Sequence, residues 1–168
     1  MTDWPPAQTQ CPIARTLDRT GDGWSLMILR DAFQGLTRFD AFEKSLGIAP
    51  NILSKRLTGL VEAGLLERRL YRTRPPRYEY VPTAMGRDFQ PVMIALMAFG
   101  NRHFATEGVA SQWIEAASGQ IAEPIVVDRR TGRRIDDGSF RYVAGPAAGP
   151  DVLRRVAEIA ARRGEAGS

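Results

Sequence analysis

Apolar residues fall along this chain in four clusters of helical spacing, then two strand-like runs, then one long apolar helix. After Cys11-Pro12, where proline suits the first turn of a helix, Ile13, Ala14 and Leu17 predict a short helix that Gly21 and Gly23 interrupt. "WSLMILRDAF" places Leu26, Ile28, Leu29, Ala32 and Phe33 on a broad apolar face headed by Trp24, so this second helix is predicted to be largely buried. "RFDAFEKSLG" repeats Phe39, Phe42 and Leu46 at i, i+3 and i+7, with Gly47 placed to end the helix. In "PNILSKRLTGLVEAG", Ile52, Leu53, Leu57, Leu60 and Val61 make the apolar side, and Asn51, Ser54, Lys55, Thr58 and Glu62 the polar one. "LLERRLY" and "RYEYVPT" predict two short strands joined by a turn at "RTRPP".

From Thr83 to about Thr106 the pattern predicts one long helix, capped by Thr83 and kinked or interrupted by Pro91. Met93, Ile94, Leu96, Met97 and Phe99 leave it apolar over most of its circumference, more than one small domain covers, which predicts a second subunit against it. The order helix, helix, helix, hairpin is that of a winged helix. The expected fold is mainly α with a small β-hairpin: a loose arm over residues 1–10, a winged helix-turn-helix domain over 11–106 that includes a dimerisation helix over 83–106, and a C-terminal extension over 107–168. In that extension "EPIVVDRR" and "SFRYVAG" suggest a strand pair, and "DVLRRVAEIAARRG" a terminal helix.

Charge sharpens the picture. The 168 residues hold 23 Lys+Arg and 19 Asp+Glu, a net charge of +4. The stretch from Asn51 to Tyr80, with Lys55, Arg56, Arg68, Arg69, Arg72, Arg74 and Arg77 against Glu62, Glu67 and Glu79, carries an excess of the same size. A localised basic excess favours a polyanionic partner. One cysteine and one histidine, Cys11 and His103, exclude an internal disulfide and the usual zinc and iron spacings, so no metal or cofactor is expected. No run of 18 apolar residues and no signal-peptide pattern occurs, which points to a cytoplasmic protein without a membrane partner. An enzyme built on the carboxylates of "VVDRRTGRRIDDG" would lack a nucleophile and base pair and a glycine-rich phosphate loop. A winged helix used only for protein contacts would not need the polar helix face or the arginine-bearing turn.

Cys11-Pro12, "GDGWSLMILRDAFQGLTRFDAFEKSLGIAPNILSKRLTGLVEAGLLER" and "YRTRPPRYEYVPTAMGRDFQPVM", in unbroken order over roughly residues 9–105, resemble the HxlR family of bacterial winged helix-turn-helix transcription regulators. The resemblance implies a cytoplasmic homodimer that binds double-stranded DNA at inverted-repeat operators. Two positions depart from the family pattern: Gly23 stands where a basic residue usually precedes the Trp, and Ala49-Pro50 where Ser-Pro commonly opens the recognition helix.

In a helix-turn-helix the second helix enters the major groove, so Asn51, Ser54, Lys55 and Thr58 are the candidates to meet base edges. Arg56 on the flank, and Arg72, Arg74 and Arg77 around the prolines of a rigid tip, are the candidates for phosphates or a narrow minor groove. Met93, Leu96, Met97, Phe99 and Phe104 are the expected dimer contacts. Cys11, at a helix start with Arg15 one turn on, is a candidate redox sensor, as the Cys-Pro position is in some relatives that the chain resembles. A small-molecule or redox effector is the further partner considered.

Overall fold

A computed structural model describes residues 10–164. Of the expected N-terminal arm only Gln10 is therefore described. Its side-chain amide donates to the Ala147 carbonyl at 3.1 Å and accepts from the Gly149 N–H at 2.7 Å.

The chain divides into two compact units, one running from Arg19 to Ile125, the other joining the residues up to Asp18 to those from Val126 onward. Hydrogen bonds account for both groupings. Asn101 Nδ2 donates to the Ser111 carbonyl at 2.9 Å, which holds the segment after the long helix against that helix. Gln10 ties the start of the chain to residues 147–149.

Helix α1 (Pro12–Thr20) begins at the proline, as its sequence predicts. In the larger unit, α2 (Gly23–Phe33), α3 (Phe39–Leu46) and α4 (Pro50–Glu62) surround a core in which Ile28, Leu29, Phe42, Leu53 and Leu57 are fully buried. Each such side chain contributes about 1.5–3 kcal/mol relative to exposure. Asp22 caps α2, its Oδ1 accepting from the Ser25 N–H at 3.3 Å. Gly47 ends α3 at φ 60°, a left-handed turn that sets the short link into α4. Ala49 precedes α4 without a side-chain cap, and Pro50 takes the first turn, where its missing N–H goes unmissed.

The hairpin consists of β1 (Leu66–Thr73) and β2 (Pro76–Pro82), antiparallel, with a bulge between Leu70 and Arg72. It is longer than expected, and the turn shrinks to Arg74-Pro75. A third segment lies along β2: the Tyr80 N–H donates to the Thr37 carbonyl at 2.7 Å, and Arg38 bridges to Glu79.

The predicted long helix is two helices, α5 (Ala84–Asp88) and α6 (Gln90–His103). Thr83 caps the first as expected, its Oγ1 accepting from the Gly86 N–H at 3.0 Å. Pro91 causes the break at Phe89, because it has no N–H to donate and its ring excludes the carbonyl of Arg87 from the helical position. The sequence thus places the interruption correctly.

The expected strand pair of the extension does not form. Between α6 and α7 (Pro150–Arg162) the described residues carry only two isolated bridges, Ile114 with Ile121 and Val127 with Arg134. "EPIVVDRR" turns back on itself before it reaches "SFRYVAG": Asp128 Oδ2 accepts from the Thr131 N–H at 2.9 Å and from its hydroxyl at 2.7 Å. Gly132, at φ 69°, completes that reversal.

Candidate nucleic-acid interface

At about 100° per residue, Asn51, Ser54, Lys55 and Thr58 occupy one arc of α4 of roughly 100°, while Leu53, Leu57 and Leu60 point the opposite way. The structure keeps that division: the four polar residues are exposed and the three leucines are buried. The buried leucines fix the rotation of α4, so which side chains remain outward is decided by packing. The outward set combines an amide, two hydroxyls and an ammonium, donors and acceptors that suit the edges of bases.

Arg56 differs from the expectation of a free phosphate contact. Its guanidinium forms an ion pair with Asp22, and its Nε is buried with no hydrogen-bond partner. The carboxylate that caps α2 with one oxygen therefore holds α4 with the other. Arg56 links α4 to the start of α2. The cap was readable, since an Asp just before an apolar helix is a familiar start signal, but its second bond depends on how α2 meets α4.

Arg72, Arg74 and Arg77 are all exposed at the far end of the hairpin. Arg72 and Arg77 face each other directly in the register of β1 and β2. Like charges opposite one another destabilise a strand pair, so this tip is electrostatically suited to an anion that shields both. Arg72 Nε also donates to the Arg74 carbonyl at 3.0 Å, which braces the turn. Lower on the hairpin the cations are engaged: Arg68 lies 4.1 Å over the Tyr78 ring, and Arg69 pairs with Glu67. Arg38 lies 4.8 Å over the ring of Tyr71, so it braces the middle of the hairpin. Residue spacing does not reveal this role, which arises from the unforeseen bridge between Arg38 and Glu79.

The other expected residues lie elsewhere. No residue of α6 is fully buried, and Val92, Leu96, Phe99 and, just beyond the helix, Phe104 are 45%, 48%, 55% and 72% exposed. Met93 and Met97 are half-buried. The Phe99 ring lies 4.6 Å from His103 and 5.6 Å from Phe104, centroid to centroid, so the exposed aromatics form a cluster.

Cys11 is half-buried in the smaller unit. Its thiol pKa is lowered, chiefly by a hydrogen bond from the Ala14 backbone N–H. Partial burial opposes the shift, while the Ile13 backbone and the Arg155 guanidinium of α7 add to it. Among the side chains that lower it the cation is Arg155, in place of the expected Arg15.

With this geometry in place, comparison with known proteins decides the family. A family model described as HxlR-like helix-turn-helix matches residues 20–107. The chain belongs to that family. HTH-type transcriptional regulator Rv3095 of Mycobacterium tuberculosis is 35% identical over 135 residues, 80% of this chain and 85% of its own length. The solved structure of PA1374 from Pseudomonas aeruginosa, described as a candidate transcription factor, is 50% identical, with a TM-score of 0.62 over 86% of this chain and 99% of its own. That of PA1607, described in the same terms, is 38% identical, with a TM-score of 0.73 over 83% of this chain and 98% of its own. The two structural matches take in more of the chain than the HxlR-like core does. Among the described residues no helix is long and apolar enough to cross a membrane.

Proposed function

We propose that this DNA-binding transcription regulator acts as a homodimer on an inverted-repeat operator, reading bases with α4 and holding the backbone with the hairpin tip. The observation that carries this reading is the exposed face of Asn51, Ser54, Lys55 and Thr58 on a helix whose rotation the buried Leu53, Leu57 and Leu60 fix. Asn51 pairs with adenine and Lys55 with guanine, Ser54 and Thr58 being permissive. Arg72, Arg74 and Arg77 neutralise phosphates or enter the minor groove beside them.

The exposed apolar stripe of α6, Val92, Leu96 and Phe99 with Phe104 just beyond it, is the surface on which a second copy sits. Two recognition helices related by a twofold axis read half-sites about one helical turn apart, roughly 34–36 Å, or a multiple of it. Cys11, with its lowered thiol pKa, is the position at which oxidants act on the protein.

Selection of bound fragments from random duplex DNA, followed by footprinting, tests the reading. The expected result is an imperfect palindrome protected by two subunits. A single asymmetric half-site protected by one subunit, or no enrichment at all, would overturn it.

A further inference from the structure

The segment after α6 does more than continue the chain. It folds against the helix and leaves a cleft of about 310 Å³ between them. Asn101 Nδ2 holds one wall by its bond to the Ser111 carbonyl at 2.9 Å. The Ala122 N–H donates to the Trp113 carbonyl at 2.8 Å, and the Ile114–Ile121 bridge closes the same loop, so the second wall is also held by backbone bonds.

We propose that this cleft binds a flat, uncharged aromatic molecule of one or two rings. Its volume lies at the small end of the range for small-molecule sites. Met97 and Trp113 supply a polarisable, planar apolar lining, the kind that ring systems pack against. Among the described residues, Asn101 Oδ1 and the Gln112 amide make no hydrogen bond, so an acceptor and a donor remain for polar groups on the ring. Arg102 and Glu123 line the same cleft with opposite charges, and among the described residues neither forms an ion pair. The two charges leave the cleft without a net field that would offset the desolvation of a charged ligand, which favours a neutral molecule.

Placement gives the site a use. Met97 and Asn101 lie on the side of α6 opposite Val92, Leu96 and Phe99, by the same 100° rotation per residue. One helix thus carries the cleft on one side and the exposed stripe on the other. A molecule in the cleft is positioned to bias α6, and this consequence rests on the dimer proposed above, whereas binding itself does not.

Calorimetric titration of the full chain, without DNA, with three naphthalene probes tests the site: neutral 2-naphthol, anionic 2-naphthoate and cationic 2-naphthylmethylammonium. One 2-naphthol per chain is expected, with the two charged probes at least about tenfold weaker. Ala98→Phe, which fills the cleft, and Trp113→Ala, which removes one wall from a loop outside the helical core, should each weaken 2-naphthol about tenfold or more while melting remains cooperative. The proposal is overturned if 2-naphthol gives no saturable heat, if a charged probe binds more tightly, or if the folded Trp113→Ala protein binds as the wild type does. Because no DNA is present, failure here is separate from failure of the operator reading.

Discussion

A Cβ atom at Gly86 would lie 2.1 Å from the carbonyl oxygen of Leu65, so the first turn of α5 touches the entrance of the hairpin with no room for a side chain. Thr83 tightens the same junction, its hydroxyl donating to the Gly64 carbonyl at 2.6 Å. Gly86→Ala should therefore destabilise the fold by about 1–3 kcal/mol, read as a lower melting midpoint. An unchanged midpoint would mean that α5 shifts at no cost. Nothing in the sequence singled out Gly86, because a glycine inside a helical pattern signals close approach only once the neighbouring backbone is known. Asn51, Ser54, Lys55 and Thr58 were legible for the contrary reason: helical period alone decides which residues oppose Leu53 and Leu57. Asn51→Ala should relax the preference at particular base pairs by about 1–3 kcal/mol while leaving the salt dependence of binding intact. Cys11 yields a pH prediction. A lowered pKa leaves more thiolate at a given pH, so alkylation by iodoacetamide should reach half its maximal rate at a lower pH than for an unperturbed cysteine. Arg155→Ala should move that midpoint up only in part, since the Ala14 backbone contributes more.

Among the elements, the hairpin and α4 should make separable contributions to DNA binding. If Arg72, Arg74 and Arg77 each neutralise one phosphate, a dimer makes about six such contacts, and log affinity should fall against log salt with a slope near −5. Arg72→Ala with Arg74→Ala removes about four of them, so the slope should become shallower by about 3 to 4 while all sequences lose affinity alike. A wild-type slope in that double variant would reduce the tip to a solvated turn. Arg56→Ala should act on folding instead, because it leaves Asp22 without its partner and loosens the join between α2 and α4. The helices were legible because their apolar periods are strong and Pro91 marks its own interruption. In the extension the terminal helix was legible too, but the strand pair was misread. Its Val and Ile runs read as strands, yet the Asp128-Thr131 turn closes before a second strand can pair, and short apolar runs alone do not reveal their partner.

At the scale of the whole molecule, the exposed stripe of α6 is too apolar to be left to water without consequence. Leu96→Glu with Phe99→Glu should convert the proposed dimer to a soluble monomer, measured by sedimentation at micromolar concentration. A folded wild-type monomer under those conditions would remove the basis for the dimer. Arg72 and Arg77, face to face across β1 and β2, carry one more consequence. Their repulsion is relieved by any nearby anion, whether a phosphate or a chloride. Raising ionic strength should thus act in opposite directions on the two states: amide protons of the hairpin tip in the free protein exchange more slowly as the repulsion is screened, while the complex with DNA dissociates faster. The strand pair should fray most under the dilute conditions in which binding is tightest, and on the proposed reading the operator would then serve as the counterion that completes the sheet.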